Sequence, residues 1–117
     1  MKKVLIVEDR RSLHSAWRVE LAGKVEVLSA YTIEEARELF DANRDDIAAI
    51  VLDACVPGDD PNTLPLAQEF GKVFGGPMIA ISGDEFYRTL LMSAGCNHES
   101  EKNELSKKIC EVLEQSQ

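Results

Sequence analysis

A pattern of apolar and polar positions typical of alternating strands and helices runs through the chain. Short, continuous apolar segments at residues 4–7, 47–53 and 78–81 predict strands that are buried on both faces, as parallel strands are. A further strand is predicted over residues 24–29. Between these strands, apolar residues recur at helical spacing and predict one buried face per helix. The five faces are Leu13, Ala16, Trp17 and Leu21; Ile33, Ala36 and Phe40; Leu66, Phe70 and Val73; Tyr87, Leu90, Leu91 and Ala94; and Leu105, Ile109, Val112 and Leu113.

Capping and turn residues set the limits of these elements. Thr32 followed by Glu35 is a capping box that begins the second helix, and Gly95 ends the fourth. Residues 96–101 contain almost no apolar side chain, so they predict at most a polar strand at the edge of the sheet. Five successive strand–helix units predict an α/β fold with helices on both faces of a parallel sheet.

Acidic residues follow two of the predicted strands directly. Glu8 and Asp9 come after the first strand, and Asp53 ends the strand over residues 47–53. Because the carboxyl ends of parallel strands meet at one edge of an open sheet, we expect the three carboxylates to lie in one layer. Acids at strand ends are also common as plain loop residues, but three in one layer favour a binding site. A carboxylate cluster of this kind predicts Mg²⁺.

Composition and charge limit the classes of function. The chain of 117 residues carries 13 basic and 21 acidic residues, a formal charge of −8, which argues against nucleic acid or an anionic membrane as partner. Only four apolar residues separate the basic start from Glu8, too few for a signal peptide or a membrane span, and we expect a cytoplasmic protein with one domain over residues 1–117. The three cysteines lack CxxC spacing and are odd in number, so reduced thiols are expected.

Four segments together resemble the response-regulator receiver domains of two-component signalling. They are Val7-Glu8-Asp9, the stretch from Leu52 to Gly58, Ile81-Ser82-Gly83, and Ala94-Gly95 with Lys102 seven residues after the glycine. None is specific alone, but all four occur in the family's order, each at the end of its own strand. The resemblance covers the whole chain and implies a flavodoxin-like, doubly wound parallel five-stranded sheet of order 2-1-3-4-5, with helices on both faces.

The resemblance also implies a phosphoacceptor chemistry. Asp53 is expected to accept the phosphoryl group and form an aspartyl phosphate. The expected Mg²⁺ ligands are Glu8, Asp9, Asp53 and the backbone carbonyl of Cys55. Lys102 and the Ser82 hydroxyl are expected to bind phosphoryl oxygens, although alone Lys102 is an ordinary solvated lysine and Ser82 is equally typical of a cap for the next helix. Cys55 and Asp84 are expected to tune the lifetime of the phosphoryl group through the access of water.

The partners that the resemblance implies are a histidine kinase or phosphotransfer protein upstream and a protein target downstream. The chain would then be a signalling domain rather than an enzyme, catalysing at most its own phosphorylation from small donors and its own dephosphorylation. An aspartyl-phosphate hydrolase on a related sheet is disfavoured, because such phosphatases need an aspartate two residues after the nucleophile and this chain has Cys55 there. No GxxxxGK or GxGxxG motif supports nucleotide binding.

Two departures from the family pattern concern how phosphorylation would change the surface that a partner binds. The family usually has an aromatic residue three positions before the lysine and a proline after it, whereas this chain has Glu99 and Asn103. We expect Glu99 to stay in solvent or pair with a lysine, since burying an unpaired carboxylate costs several kcal/mol. Weak coupling between the phosphoryl site and the last strand is therefore expected, with a looser loop around Asn103. These departures keep open an alternative, a receiver-like protein-binding module that works without phosphorylation.

Overall fold

The computed structural model describes residues 1–58 and 60–115, in which strands and helices alternate. A 3₁₀ turn at Lys102–Glu104 leads into the last helix. The elements are β1 (Lys3–Val7), α1 (Arg11–Glu20), β2 (Glu26–Ala30), α2 (Ile33–Asn43), β3 (Ile47–Asp53), α3 (Leu64–Val73), β4 (Met78–Ile81), α4 (Glu85–Ala94), β5 (His98–Ser100) and α5 (Leu105–Gln115). The expected α/β alternation is confirmed, and the second strand lies slightly later in the chain than the range 24–29 that the sequence suggested.

The five strands form one parallel sheet of order β2-β1-β3-β4-β5. This is the doubly wound topology that the resemblance implied, with β1 and β3 at the centre. The register aligns Val7 with Leu52, and Asp53 with Ile81. The residues that follow these strands therefore meet at a single edge of the sheet, which is the edge where open α/β sheets place their sites.

Alternate residues of each strand feed two separate apolar cores. In β1, Val4 and Ile6 pack with α1 and α5, whereas Leu5 and Val7 pack with α2, α3 and α4. This alternation is the two-residue period of a strand with helices on both sides, and all four side chains are fully buried. The carboxyl edge is thus supported from both faces.

Two of the expected buried faces differ in the structure. Ala16 is exposed and His14 is buried in its place, because Ala16 lies roughly opposite the face that His14, Trp17 and Leu21 share at about 100° per residue. Val73, the last residue of α3, is also exposed, so that helix buries its face only as far as Phe70.

The polar fifth strand exists, and Asn97 explains how. The Asn97 side-chain oxygen accepts from the backbone amide of Met78 at 2.8 Å, and the backbone amide of Asn97 donates to the Met78 carbonyl at 2.9 Å. These bonds fasten the start of β5 to β4 without apolar packing, and they confirm the edge strand. Within the part of the chain that the structure describes, every helix is too short or too polar to cross a membrane.

Candidate functional site

A polar cavity opens at the carboxyl edge of the sheet, between the loops that follow β1, β3, β4 and β5. Six residues singled out from the sequence line it, namely Asp9, Asp53, Cys55, Ser82, Asp84 and Lys102. Arg10, Gly58, Gly83 and Tyr87 complete the lining. Glu8 is fully buried beneath this cavity rather than in its wall.

The three expected carboxylates converge. Glu8, Asp9 and Asp53 each offer an oxygen, and these oxygens all lie within 4.8 Å of one another. Glu8 and Asp53 are buried, while Asp9 is half-buried at the cavity wall. Such a set consists only of hard oxygen donors, which is the chemistry that Mg²⁺ prefers.

Lys102 neutralises part of this cluster. Its Nζ atom lies 2.6 Å from Glu8 Oε1 and 3.4 Å from Asp53 Oδ1. The lysine therefore binds Glu8 more closely than the expected phosphoacceptor. Lys102 contacts both buried acids although it is 94 residues away from Glu8 in the sequence.

The environment of Asp53 perturbs its ionisation. Burial raises the pKa of Asp53 to about 7, and the neighbouring Glu8 carboxylate adds to this rise, while Lys102 opposes it. Both burial and the Glu8 charge disfavour the ionised form of Asp53. A cation bound beside Asp53 would favour that form.

Ser82 lines the cavity, and Asp84 is the cap of the helix that follows it. Asp84 Oδ1 accepts from the Phe86 amide at 2.8 Å at the start of α4, so the capping explanation of Ser82 is wrong. The Asp84 amide donates to Ser82 Oγ at 3.1 Å. Because the Ser82 oxygen accepts, the hydroxyl proton is left for an acceptor in the cavity.

Trp17 tethers the loop that carries Lys102. Its Nε1 donates to the Lys102 carbonyl at 3.2 Å, and the indole is 2% exposed. A buried side chain of α1 thus tethers the lysine backbone at one point, and the looser loop around Asn103 stays a prediction. Sequence reasoning assigned Trp17 only to the core, since nothing local links it to a residue 85 positions away.

The loop after β3 is held by two residues that sequence reasoning missed. Asn62 accepts from the Val56 amide and donates to the Val56 carbonyl, both at 2.8 Å. Buried Thr63 donates to the carbonyls of Asp53 and Ala54 at 2.7 and 3.0 Å. The loop also contains a cis peptide bond between Val56 and Pro57. An asparagine in a proline- and glycine-rich turn is the one local signal that could have drawn attention to this bracing.

His14 supports the site from below. It is 1% exposed, its Nε2–H donates to the Glu8 carbonyl at 2.7 Å, and its ring lies edge-on to Trp17 and Tyr31. Burial lowers the pKa of His14, which favours a neutral ring. The neutral imidazole thus fixes the backbone of Glu8.

Glu99 has a partner that the sequence did not suggest. It is half-exposed and pairs with Arg88 of α4, with Nε and Oε1 3.3 Å apart. Glu99 thus stays in solvent, as expected, and the cation beside it is an arginine rather than a lysine.

The fold is that of response regulator receiver domains. A receiver domain protein from Clostridium thermocellum superposes with a TM-score of 0.80 at 20% identity over 99% of this chain and 97% of the other. A Francisella receiver domain gives 0.80 at 18% identity over 100% of both chains. A putative response regulator from Chloroflexus aurantiacus gives 0.79 at 23% identity over 97% and 98%. No family model and no curated protein matches the sequence.

The raised pKa of Asp53 predicts a pH-dependent stability. In the folded protein this carboxyl keeps its proton up to about pH 7, whereas in the unfolded chain it ionises near 3.8, so stability falls as the pH rises between these values. Asp53→Asn removes the penalty. We expect its gain in unfolding free energy, measured by urea denaturation without divalent cations, to be about 1 kcal/mol at pH 4.5 and on the order of 4 kcal/mol at pH 8. An equal gain at both pH values would contradict the assignment.

Proposed function

We propose that this chain is a phosphoacceptor signalling domain of a two-component system, in which Asp53 accepts a phosphoryl group in a Mg²⁺-dependent reaction. The observation that carries the proposal is the convergence of Asp53, two further acids, Lys102 and Ser82 on one cavity of a receiver fold. A general acidic patch would require neither the lysine paired with two buried acids nor the buried serine.

The residues present fit a magnesium ion. The donors are carboxylate oxygens, and the pKa of Asp53 is raised partly by the charge of Glu8, which a cation would offset. Glu8, Asp9 and Asp53 would hold the ion together with the Cys55 carbonyl, with Asp9 and Asp53 facing the cavity directly. When bound, Mg²⁺ supplies positive charge that lowers the repulsion between Asp53 and an incoming phosphoryl group.

The side chains of this chain perform the transfer. A carboxylate oxygen of Asp53 attacks phosphorus, the bond from phosphorus to the donor's leaving group breaks, and an acyl phosphate forms on Asp53. Lys102, whose Nζ lies 3.4 Å from Asp53 Oδ1, would neutralise a phosphoryl oxygen, and the Ser82 hydroxyl would donate to another. The attacking carboxylate must be ionised, so burial and Glu8 work against transfer unless a cation is present.

Signal transfer is proposed to run through proteins in the cytoplasm. A histidine kinase or phosphotransfer protein would donate the phosphoryl group, and a downstream protein would bind the modified domain. Cys55 and Asp84 line the cavity beside Asp53, where they would control the approach of water to the acyl phosphate and hence its lifetime. A net charge of −8 supports protein partners over nucleic acid.

A protein-binding module that works without phosphate is the second candidate. The observation that favours it is the 2.6 Å contact between Lys102 and Glu8, which gives the site its own counter-charge. Glu99 at the family's usual aromatic position favours it as well. The two candidates differ in whether Asp53 can be modified.

Phosphorylation provides the direct test. With acetyl phosphate and Mg²⁺, intact-mass measurement should give a single phosphoryl adduct, and Asp53→Asn should abolish it because the amide is not a nucleophile. Asp45→Asn is the matched control, since Asp45 is exposed and belongs to none of the loops that line the cavity, and it should be labelled like the parent. Labelling that persists in Asp53→Asn would place the acceptor elsewhere, and a parent that is never labelled would favour the binding module.

Magnesium affinity tests the metal assignment separately. Clustered carboxylates repel one another and a cation relieves this, but Mg²⁺ keeps several waters, so weak binding is expected. Asp9→Asn should weaken it by about tenfold or more, because altering even a residue that only hydrogen-bonds a metal ligand typically costs about tenfold. Trp17 fluorescence or amide shifts would report the titration. The exposed Asp41→Asn on α2 serves as the control, and unchanged affinity in Asp9→Asn would refute the ligand set.

A further inference from the structure

Arg88 joins the cavity to the edge strand. Its side chain is 13% exposed, although its charge would ordinarily keep it in water. Nη1 donates to the Ser82 carbonyl at 2.7 Å, and Nε donates to Glu99 Oε1 at 3.3 Å. One guanidinium group of α4 therefore bridges the loop after β4 and the middle of β5.

The register of the sheet explains this geometry. Glu99 is aligned with Ala80, which packs into the core beneath α4. Aligned residues of neighbouring parallel strands point to the same face, so Glu99 projects on the α4 side at the outer edge of the sheet. There Arg88 covers it. The planar fork of arginine can serve two acceptors at once, which the single ammonium group of a lysine does less well.

The turn that contains Ser82 is bound closely to the first turn of α4. The Asp84 amide donates to Ser82 Oγ, the Asp84 carboxylate caps the helix, and the Arg88 amide donates to the Asp84 carbonyl at 3.2 Å. The Arg88 side chain adds a charge-assisted bond to the Ser82 carbonyl. The backbone that aims the Ser82 hydroxyl is thus fixed in part by a guanidinium group that Glu99 also holds.

We propose that Arg88 is a positioning residue of the phosphoryl site: it sets the orientation of Ser82, and Glu99 holds it in place. This inference rests on the proposed function, because it assigns to Ser82 the binding of a phosphoryl oxygen. Since coupling between two sites is reciprocal, the affinity of the cavity for a phosphoryl group depends on Glu99, and occupancy of the cavity alters the surface of β5. The link is ionic.

Binding of beryllofluoride with Mg²⁺, as a stand-in for the phosphoryl group, tests the proposal. Arg88→Gln should weaken binding about fivefold, a coupling of ordinary size, and Glu99→Gln should weaken it less, because the guanidinium keeps its bond to Ser82. The decisive readout is the double variant. Once Ser82→Ala has removed the hydroxyl, Arg88→Gln should cause no further loss of affinity. If Arg88 only supported the fold, Arg88→Gln would still weaken binding in the Ser82→Ala background.

Arg37→Gln is the matched control. Arg37 pairs with Glu69 at 3.1 Å on the exposed surface between α2 and α3, so this variant removes an ion pair without touching the cavity, and its affinity should equal that of the parent. Equal weakening by Arg88→Gln with and without Ser82→Ala would overturn the proposal.

A second measurement does not need the phosphoryl analogue. In the free protein, Glu99→Gln should shift the amide resonances of Ser82 and Gly83, and Arg37→Gln should leave them unchanged. If the parent failed to bind beryllofluoride, the proposed function would be wrong. These shifts would still test whether Arg88 connects Glu99 to the turn that contains Ser82. Unshifted Ser82 and Gly83 amides in both Arg88→Gln and Glu99→Gln would refute it.

Discussion

The contact of Lys102 with two buried carboxylates is the interaction on which the site depends. Glu8 and Asp53 end neighbouring central strands, so the sheet itself brings their charges together. Two like charges about 4 Å apart repel by about 4 kcal/mol at an effective dielectric constant of 20. The ammonium group offsets part of this repulsion, and burial together with the remaining Glu8 charge raises the pKa of Asp53. A divalent cation bound beside Asp53 would stabilise its ionised form further.

The scaffold is arranged so that each of these charges is held from outside the cavity. His14 fixes the backbone of Glu8, Trp17 fixes the backbone of Lys102, and Thr63 fixes the carbonyl of Asp53. Each support is a buried polar group that donates to a backbone carbonyl, the pairing that makes burial of such groups tolerable. Because the supports come from α1 and from the residue before α3, damage to either helix is expected to reach the site without touching a carboxylate.

Much of the fold and the core of the site follow from local sequence. The apolar runs at residues 4–7 and 47–53 predicted that Glu8, Asp9 and Asp53 lie together, because the carboxyl ends of parallel strands share one edge of the sheet whatever the conformation of the loops. The strand order came from the family resemblance, since helical spacing alone does not say which strands are neighbours. The hydrogen bond between Trp17 and Lys102 and the ion pair between Arg88 and Glu99 were missed, because each joins residues of different elements and leaves no periodic signal in the sequence.

The titration of the Asp53 carboxyl tests the central claim most directly. Carbon-13 NMR of the side-chain carboxyl, recorded across pH with and without Mg²⁺, reports this ionisation without requiring a phosphodonor. Burial and the charge of Glu8 predict an apparent pKa near 7 without the ion and a clearly lower value when Mg²⁺ is present. An apparent pKa near the ordinary value of 3.8 that does not respond to Mg²⁺ would contradict the electrostatic account of this site.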